Sequence, residues 1–414
     1  MTTTATVSAV LETADRLART LADPDTAWPH GRPHNGRSWP QSLAGGASGI
    51  ALLHIERART GHGDWDTAHT WLVTALQGDI SAATNANLYF GAPALAFITH
   101  RAASTSDRYL RVADRLDAAT ITVTRKRLTA AHQRIDRRDR VPMEEFDLIQ
   151  GLSGLGSYHL SRHPDHEITR DVLAYLVRLT QPRPDPSGLP PWWMDVAPSG
   201  APHPDYLGGH GNFGLAHGIG AALAVLSKAV LHGLTVPGMP EAIERICSWT
   251  DHWRQGDHAS PWWPGQLTVE QAAGDRLSVD LRPRPSWCYG VSGTARAQQL
   301  AGLALGDQAH VTAAENAILA ALRDPQQLAK LPEIGLCHGM AGLLHASWRM
   351  ATQTGNTEIT AELPHMADRL CTALERPGHD PELLDGAAGA ALALHTLATN
   401  HAPAPHWDTF LALA

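Results

Sequence analysis

Seven times along this chain a small residue is followed, three positions later, by another small residue and then by an Ala/Leu-rich stretch. The instances are Gly46-Ala-Ser-Gly49, Gly91-Ala-Pro-Ala94, Gly151-Leu-Ser-Gly154, Gly218-Ile-Gly-Ala221, Gly290-Val-Ser-Gly293, Gly339-Met-Ala-Gly342 and Gly386-Ala-Ala-Gly389. The first glycines lie 45 to 72 residues apart, room for two helices and a loop, and recurrence on this scale marks a repeat architecture. Amphipathic spacing between the glycines predicts partner helices over residues 6–21, 65–76, 107–118, 168–179, 240–253, 309–322 and 361–374. These partners interleave charges, as in Arg108-Tyr-Leu-Arg-Val-Ala-Asp-Arg, and read as an outer layer. The glycine-led helices are poorer in charge and read as an inner one. Glycine costs a helix about 1 kcal/mol relative to alanine, so seven of them need a reason. The reason expected is convergence: small residues let helix starts approach a common centre with their N–H groups aimed at it. The expected fold class is therefore all-α, an α/α toroid (double-layered barrel) of seven inner and seven outer helices, in a single domain over residues 1–414.

The residues just before those glycines are Gly45, Phe90, Gln150, His217, Tyr289, His338 and Asp385. Two of these turns also hold a cysteine: Trp287-Cys288-Tyr289-Gly290 and Cys337-His338-Gly339. Two thiolates and one imidazole suit zinc, and three protein ligands would leave a fourth tetrahedral position for water or substrate. The short C-x-x-C pattern of many zinc sites is absent, so spacing alone leaves ligation and packing both open. The other cysteines, Cys247 and Cys371, sit in amphipathic helices and read as small core residues. By side-chain pKa His217 is the best general acid/base candidate. Asp147, three residues before Gln150, reads as an orienting group or as a helix N-cap. Arg284 and Tyr289 are candidates for stabilising a developing oxyanion, although Arg284 also lies in a rigid Pro-Arg-Pro loop. His54, His345 and His395, on inner helices, read as packing or as cavity walls.

Two inserts break the periodicity, at about 182–214 and 254–286, both rich in Pro, Trp and Gly. The second holds a hairpin-like pair, residues 266–269 and 277–281. Both lead into candidate site residues and read as loops roofing a cavity. The basic segment 125–140 reads as a solvated helix face or as a docking surface for an acidic peptide. A formal charge of −8 with no uniformly basic face argues against general nucleic-acid binding. There is no signal-peptide pattern and no apolar run long enough to span a bilayer. Four cysteines in a long chain point to a reducing cytoplasm.

With these features in place, the chain resembles the lanthionine synthetase C-like family, the lantibiotic cyclases, over nearly its whole length. The resemblance is carried by Phe146-Asp-Leu-Ile-Gln-Gly-Leu-Ser-Gly154, Gly214-Leu-Ala-His-Gly218, Arg284-Pro-Ser-Trp-Cys-Tyr-Gly290 and Leu336-Cys-His-Gly339. It implies an α/α toroid binding one zinc through Cys288, Cys337 and His338, with His217, Asp147, Arg284 and Tyr289 catalytic. The implied reaction closes (methyl)lanthionine thioether rings by adding substrate Cys thiolates to dehydroalanine or dehydrobutyrine in a ribosomal precursor peptide. No dehydratase-like region is evident, so a separate dehydratase is expected, with a transporter as a further partner and any membrane association arising through such a complex. Two other readings stay open: addition of glutathione to dehydrated peptides, and a zinc-containing peptide-binding scaffold without turnover.

Overall fold

The computed structural model describes residues 4–28, 40–105, 107–183, 188–274, 277 and 282–414. All seven glycine-led helices are present: Ala47–Arg59, Ala92–Ala103, Leu152–Arg162, Ile219–Leu231, Val291–Leu305, Met340–Thr354 and Ala387–Thr399. Their partners are Thr4–Thr20, Trp65–Ala75, Leu110–Arg137, Glu167–Leu179, Met239–His252, Gln308–Arg323 and Thr357–Ala373. The third partner extends well past the expected residue 118. Nothing in its sequence stops it, for no Gly or Pro occurs before Arg137.

The two sets of helices start differently. Several partner helices carry a side-chain cap: Asp64 accepts from the Thr67 amide, and Asn356 from the amides of Glu358 and Ile359. In the glycine-led set the glycine itself is the N-cap and no side chain caps the helix. At Met340–Thr354 the work is done by backbone. The amides of Met340, Ala341 and Gly342 donate to the carbonyls of Glu333, Ile334 and Gly335 at 2.9, 3.2 and 3.2 Å, so the preceding turn lies flat on the helix start. That contact needs bare Cα atoms. A Cβ on Gly339 would lie 2.4 Å from the Gly335 nitrogen, and one on Gly342 would lie 2.0 Å from the Leu336 carbonyl oxygen. Gly290 and Gly293 repeat the pattern against Arg284 and Trp287. At these starts the glycines have a further reason beyond convergence: they let the helix seat its own turn, and at Met340 that turn takes up the first N–H groups.

The chain forms two compact units, one of residues 1–123 and 322–408, the other of residues 124–321 and 409–414. In the first, the glycine-led helices starting at Met340, Ala387, Ala47 and Ala92 pack side by side in that order. Their turns are joined in the same order. Leu336 and Cys337 amides donate to the Leu384 carbonyl (2.7 and 2.9 Å), Leu383 and Leu384 amides to that of Ala44 (3.1 and 2.9 Å), and the Leu43 amide to that of Tyr89 (2.9 Å). In the second unit the helices starting at Leu152, Ile219 and Val291 neighbour one another, the Leu148 amide donating to Ala216 (3.0 Å) and the Ala216 amide to Cys288 (3.2 Å). Partner helices cover these layers, Thr357–Ala373 lying on Met340–Thr354 and Glu167–Leu179 on Leu152–Arg162. Inner helices such as Ala47–Arg59 are buried on all sides for most of their length, which their composition requires.

One arm of the expected hairpin finds a partner in the other insert. Gln266–Thr268 pairs antiparallel with His210–Asn212 of the other insert, His210 opposite Thr268, and then runs into a short helix, Val269–Gly274. Of the other expected arm only Leu277 is described; residues 275, 276 and 278–281, like 184–187 of the first insert, lie outside the described residues. The basic segment is largely answered locally. Arg125 pairs with Glu167, Arg134 with Glu145 and Arg137 with Asp139, and Asp136 holds Arg178. Those pairs leave less of the segment free for docking, and Arg134 is buried rather than part of a solvated face.

Candidate active site

In the second unit the Cys288 turn is anchored from below. The Trp287 indole N–H donates to the Leu411 carbonyl at 3.0 Å, and the ring is fully buried. Cys288 is buried too, its thiol 3.6 Å from the Ser286 hydroxyl. The next residue, Tyr289, is half-buried and stacks on His217, ring centroids 6.0 Å apart and planes at 29°. Tyr289 also lines a cavity of about 510 Å³ with Pro198, Ser199, Gly265, Gln266 and Pro283, so residues of both inserts border it. Arg284 is half-buried one residue beyond Pro283.

Asp147 is not the cap of the helix that follows it; Gly151 is. Its carboxylate, with no solvent exposure, accepts from the Gln150 amide at 2.7 Å through Oδ1 and faces His217 Nδ1 at 2.6 Å through Oδ2. The Asp–His pair is therefore preformed, and a quarter of the His217 side chain is exposed. Nδ1 is engaged by Asp147, which leaves Nε2 as the nitrogen available for proton exchange. Arg127, from the basic segment, lies close enough to feel the Asp147 charge. Burial lowers its pKa and Asp147 opposes that shift. Nothing in the sequence marked Arg127 out among its arginine neighbours. Asn212 was missed as well: its Oδ1 accepts from the Gly214 amide at 2.9 Å and braces the turn that presents His217.

In the first unit, Cys337, His338 and Asp385 offer a sulfur, a nitrogen and a carboxylate oxygen all within 4.8 Å of one another. This is the group among the described residues with a metal-binding arrangement, and all three side chains are half-buried. Cys288 is not among its members. Asp385 joins it unexpectedly; the available signal was its place just before Gly386, equivalent to that of His338 before Gly339. His338 Nε2 lies 3.3 Å from Asp385 Oδ1, while Nδ1 is buried without a hydrogen-bond partner. A buried imidazole nitrogen left without a partner, beside a thiol, fits a zinc-ligand role.

The remaining candidates behave as packing. His54, His345 and His395 are buried, and burial also pushes the Cys247 thiol up to about 12. Cys371 is only half-buried, since its helix lies in the outer layer. No helix among the described residues is long and apolar enough to cross a membrane.

Fold and site together define a mostly helical protein whose glycine-capped turns present imidazole, thiol, phenol and carboxylate groups. The model of the lanthionine synthetase C-like protein family matches residues 37–412, and the chain belongs to that family. It is 23% identical over 265 residues to the nisin biosynthesis protein NisC of Lactococcus lactis subsp. lactis, an alignment covering 62% of this chain and 60% of that protein. The chain thus spans about 60% of the length of the curated relative it matches. A solved structure, nisin cyclase, superposes with a TM-score of 0.79 over 96% of each chain at 19% identity. That likeness shows the fold, and the fold class expected from the repeat, the α/α toroid, stands.

Proposed function

We propose that this chain is a zinc-dependent lanthionine synthetase cyclase acting on a ribosomally made peptide whose Ser and Thr residues another protein has dehydrated. The observation that carries the reading is the preformed Asp147–His217 pair, 2.6 Å across, stacked on Tyr289 at a cavity bordered by both inserts. It supports proton transfer beside an opening lined by residues of both inserts, in a chain of the lanthionine synthetase C-like family.

Zinc would be held by Cys288, Cys337 and His338, as the family resemblance implies, and when bound it supplies a thiolate at neutral pH from a substrate thiol. In the reaction a C–S bond forms at the β-carbon of the dehydro residue as its C=C π bond breaks. The electron pair passes to the amide as an enolate, the α-carbon then takes a proton, and the product has the mass of the substrate. His217, oriented through Nδ1 by Asp147, would take up and return that proton through Nε2. Arg284 and Tyr289 would stabilise the enolate oxygen. A separate dehydratase is the partner this reading entails, with a transporter as a further member of a biosynthetic complex and the cyclase itself in the cytoplasm.

The test uses zinc-loaded protein with a synthetic peptide holding one dehydroalanine and one cysteine. The expected result is loss of the free thiol at unchanged mass, faster than without protein, together with loss of zinc and of this activity in Cys288→Ala. Thiol loss no faster than the uncatalysed rate, or full zinc retention in Cys288→Ala, overturns the proposal. A mass gain of one glutathione when that thiol is supplied would move it to the small-thiol reading.

A further inference from the structure

Asp385 is the one carboxylate that directly precedes an N-cap glycine, and both sides of its turn are tied down. The Leu384 carbonyl receives the amides of Leu336 and Cys337, while the amides of Leu383 and Leu384 reach the Ala44 carbonyl. The fit is close: a Cβ on Gly335 would lie 2.6 Å from the Asp385 Cα. This backbone lattice fixes the Asp385 carboxylate beside the Cys337-His338 turn before any ligand arrives. Its Oδ1 faces His338 Nε2 at 3.3 Å. The other ring nitrogen, Nδ1, is buried with no hydrogen-bond partner.

A neutral imidazole carries one N–H, and whichever nitrogen keeps it cannot ligate a metal. From this geometry we infer that Asp385 is a positioning residue for the zinc centre: its negative charge, 3.3 Å from Nε2, favours the ring proton there and so reserves Nδ1 for the metal. The inference rests on the zinc reading above and assigns Asp385 a role outside the ligand set. Carboxylates that orient a ligating histidine fix its tautomer and ring plane and raise its basicity, and their removal typically costs about 10–100-fold in metal affinity. A carboxylate in the ligand set would behave differently, since its removal would change the coordination itself.

Zinc affinity measured by chelator competition, on wild type, Cys337→Ala, Asp385→Ala and Asp385→Asn, separates the possibilities. The expected result is that Asp385→Ala binds zinc about 10–100-fold more weakly. Asp385→Asn, whose amide oxygen can still face Nε2, should lose less than Asp385→Ala and guards against a folding artefact. Cobalt-loaded Asp385→Ala should keep the wild-type thiolate-to-metal absorption per bound ion, since no ligand has gone. Wild-type zinc affinity in Asp385→Ala, with Cys337→Ala depleted, overturns the positioning role and leaves the zinc site standing. An altered cobalt spectrum in Asp385→Ala also overturns it, by making Asp385 a ligand. Equal zinc content in wild type and Cys337→Ala removes the zinc reading itself and this inference with it.

Discussion

His217 and His338 occupy the same place in the repeat, immediately before an N-cap glycine, yet their carboxylate neighbours engage opposite ring nitrogens. Asp147 faces His217 through Nδ1 at 2.6 Å, and Asp385 faces His338 through Nε2 at 3.3 Å. Asp147 is fully buried and also accepts an amide; Asp385 is half-buried. The repeat decides where an imidazole sits, because the glycine lets the turn lie on its helix. The neighbouring turn then decides which nitrogen is left over. In one unit that is Nε2 of a partly exposed ring, suited to moving protons. In the other it is a buried Nδ1 beside a thiol, suited to holding a metal.

If the two pairs are specialised in this way, mutations in them should separate two readouts. The largest effect on turnover is expected from His217→Ala, a fall of about 10²–10⁴-fold in kcat with zinc content unchanged. Zinc loss in this variant would mean that His217 belongs with the metal and would erase the distinction. Asp147→Asn should act in the same direction but less strongly, because an acceptor oxygen remains for Nδ1 while the negative charge beside the ring is lost. Its zinc affinity should match the wild type, the reverse of the expectation for Asp385. Steady-state rates and chelator competition on the same preparations decide this, and a fall in zinc affinity with Asp147→Asn would break the comparison.

How much of this was legible in the sequence follows the same division. The repeat spelled out all fourteen principal helices, since small-residue spacing and amphipathic period are local properties. The helix Leu110–Arg137 was underestimated because its charged second half looked like an exposed segment, whereas Arg134 is buried against Glu145. His217 and Asp147 were readable as candidates from their places beside glycines. Their 2.6 Å contact was not, for it depends on the Leu148 amide reaching the Ala216 carbonyl 68 residues further along the chain. Asp385 and Arg127 show the limit more sharply. Each acquires its meaning from the turn or carboxylate it is folded against: the place before Gly386 marked Asp385 only as one of seven such positions, and an arginine among arginines carries no signal alone. The pairing of Gln266–Thr268 was hidden for a similar reason: the partner described for it, His210–Asn212, comes from the other insert.

Histidines that face no carboxylate at hydrogen-bond range complete the comparison and give the smallest of the expected effects. In the first unit His54 contacts the Leu21 carbonyl at 2.8 Å and His395 the Thr60 hydroxyl at 2.8 Å. Burial, ahead of the nearby Arg57 charge, pushes His54 from 6.5 down to about 4, and burial with Arg57 and His62 pushes His395 down to about 3. Both are neutral in the fold well below the pH at which the unfolded chain takes up their protons. Between pH 6.5 and about 4 the unfolded state therefore binds more protons than the folded one, and stability falls as the pH drops, by up to about 1.4 kcal/mol per pH unit for each histidine. Asp408 adds little in this window. Burial alone would raise it, but Arg349 and His345 more than reverse that and hold it well below 3.8, so its contribution is lost only at lower pH. Hydrogen exchange of the Ala47–Arg59 and Ala387–Thr399 amides, corrected for intrinsic rate, should accelerate across this range. His54→Gln, whose amide can still donate to Leu21, should flatten the slope by about one proton. An unchanged slope in that variant would show that His54 titrates in the folded protein much as it does in the unfolded chain, and that burial without a carboxylate does not by itself set a histidine's behaviour here.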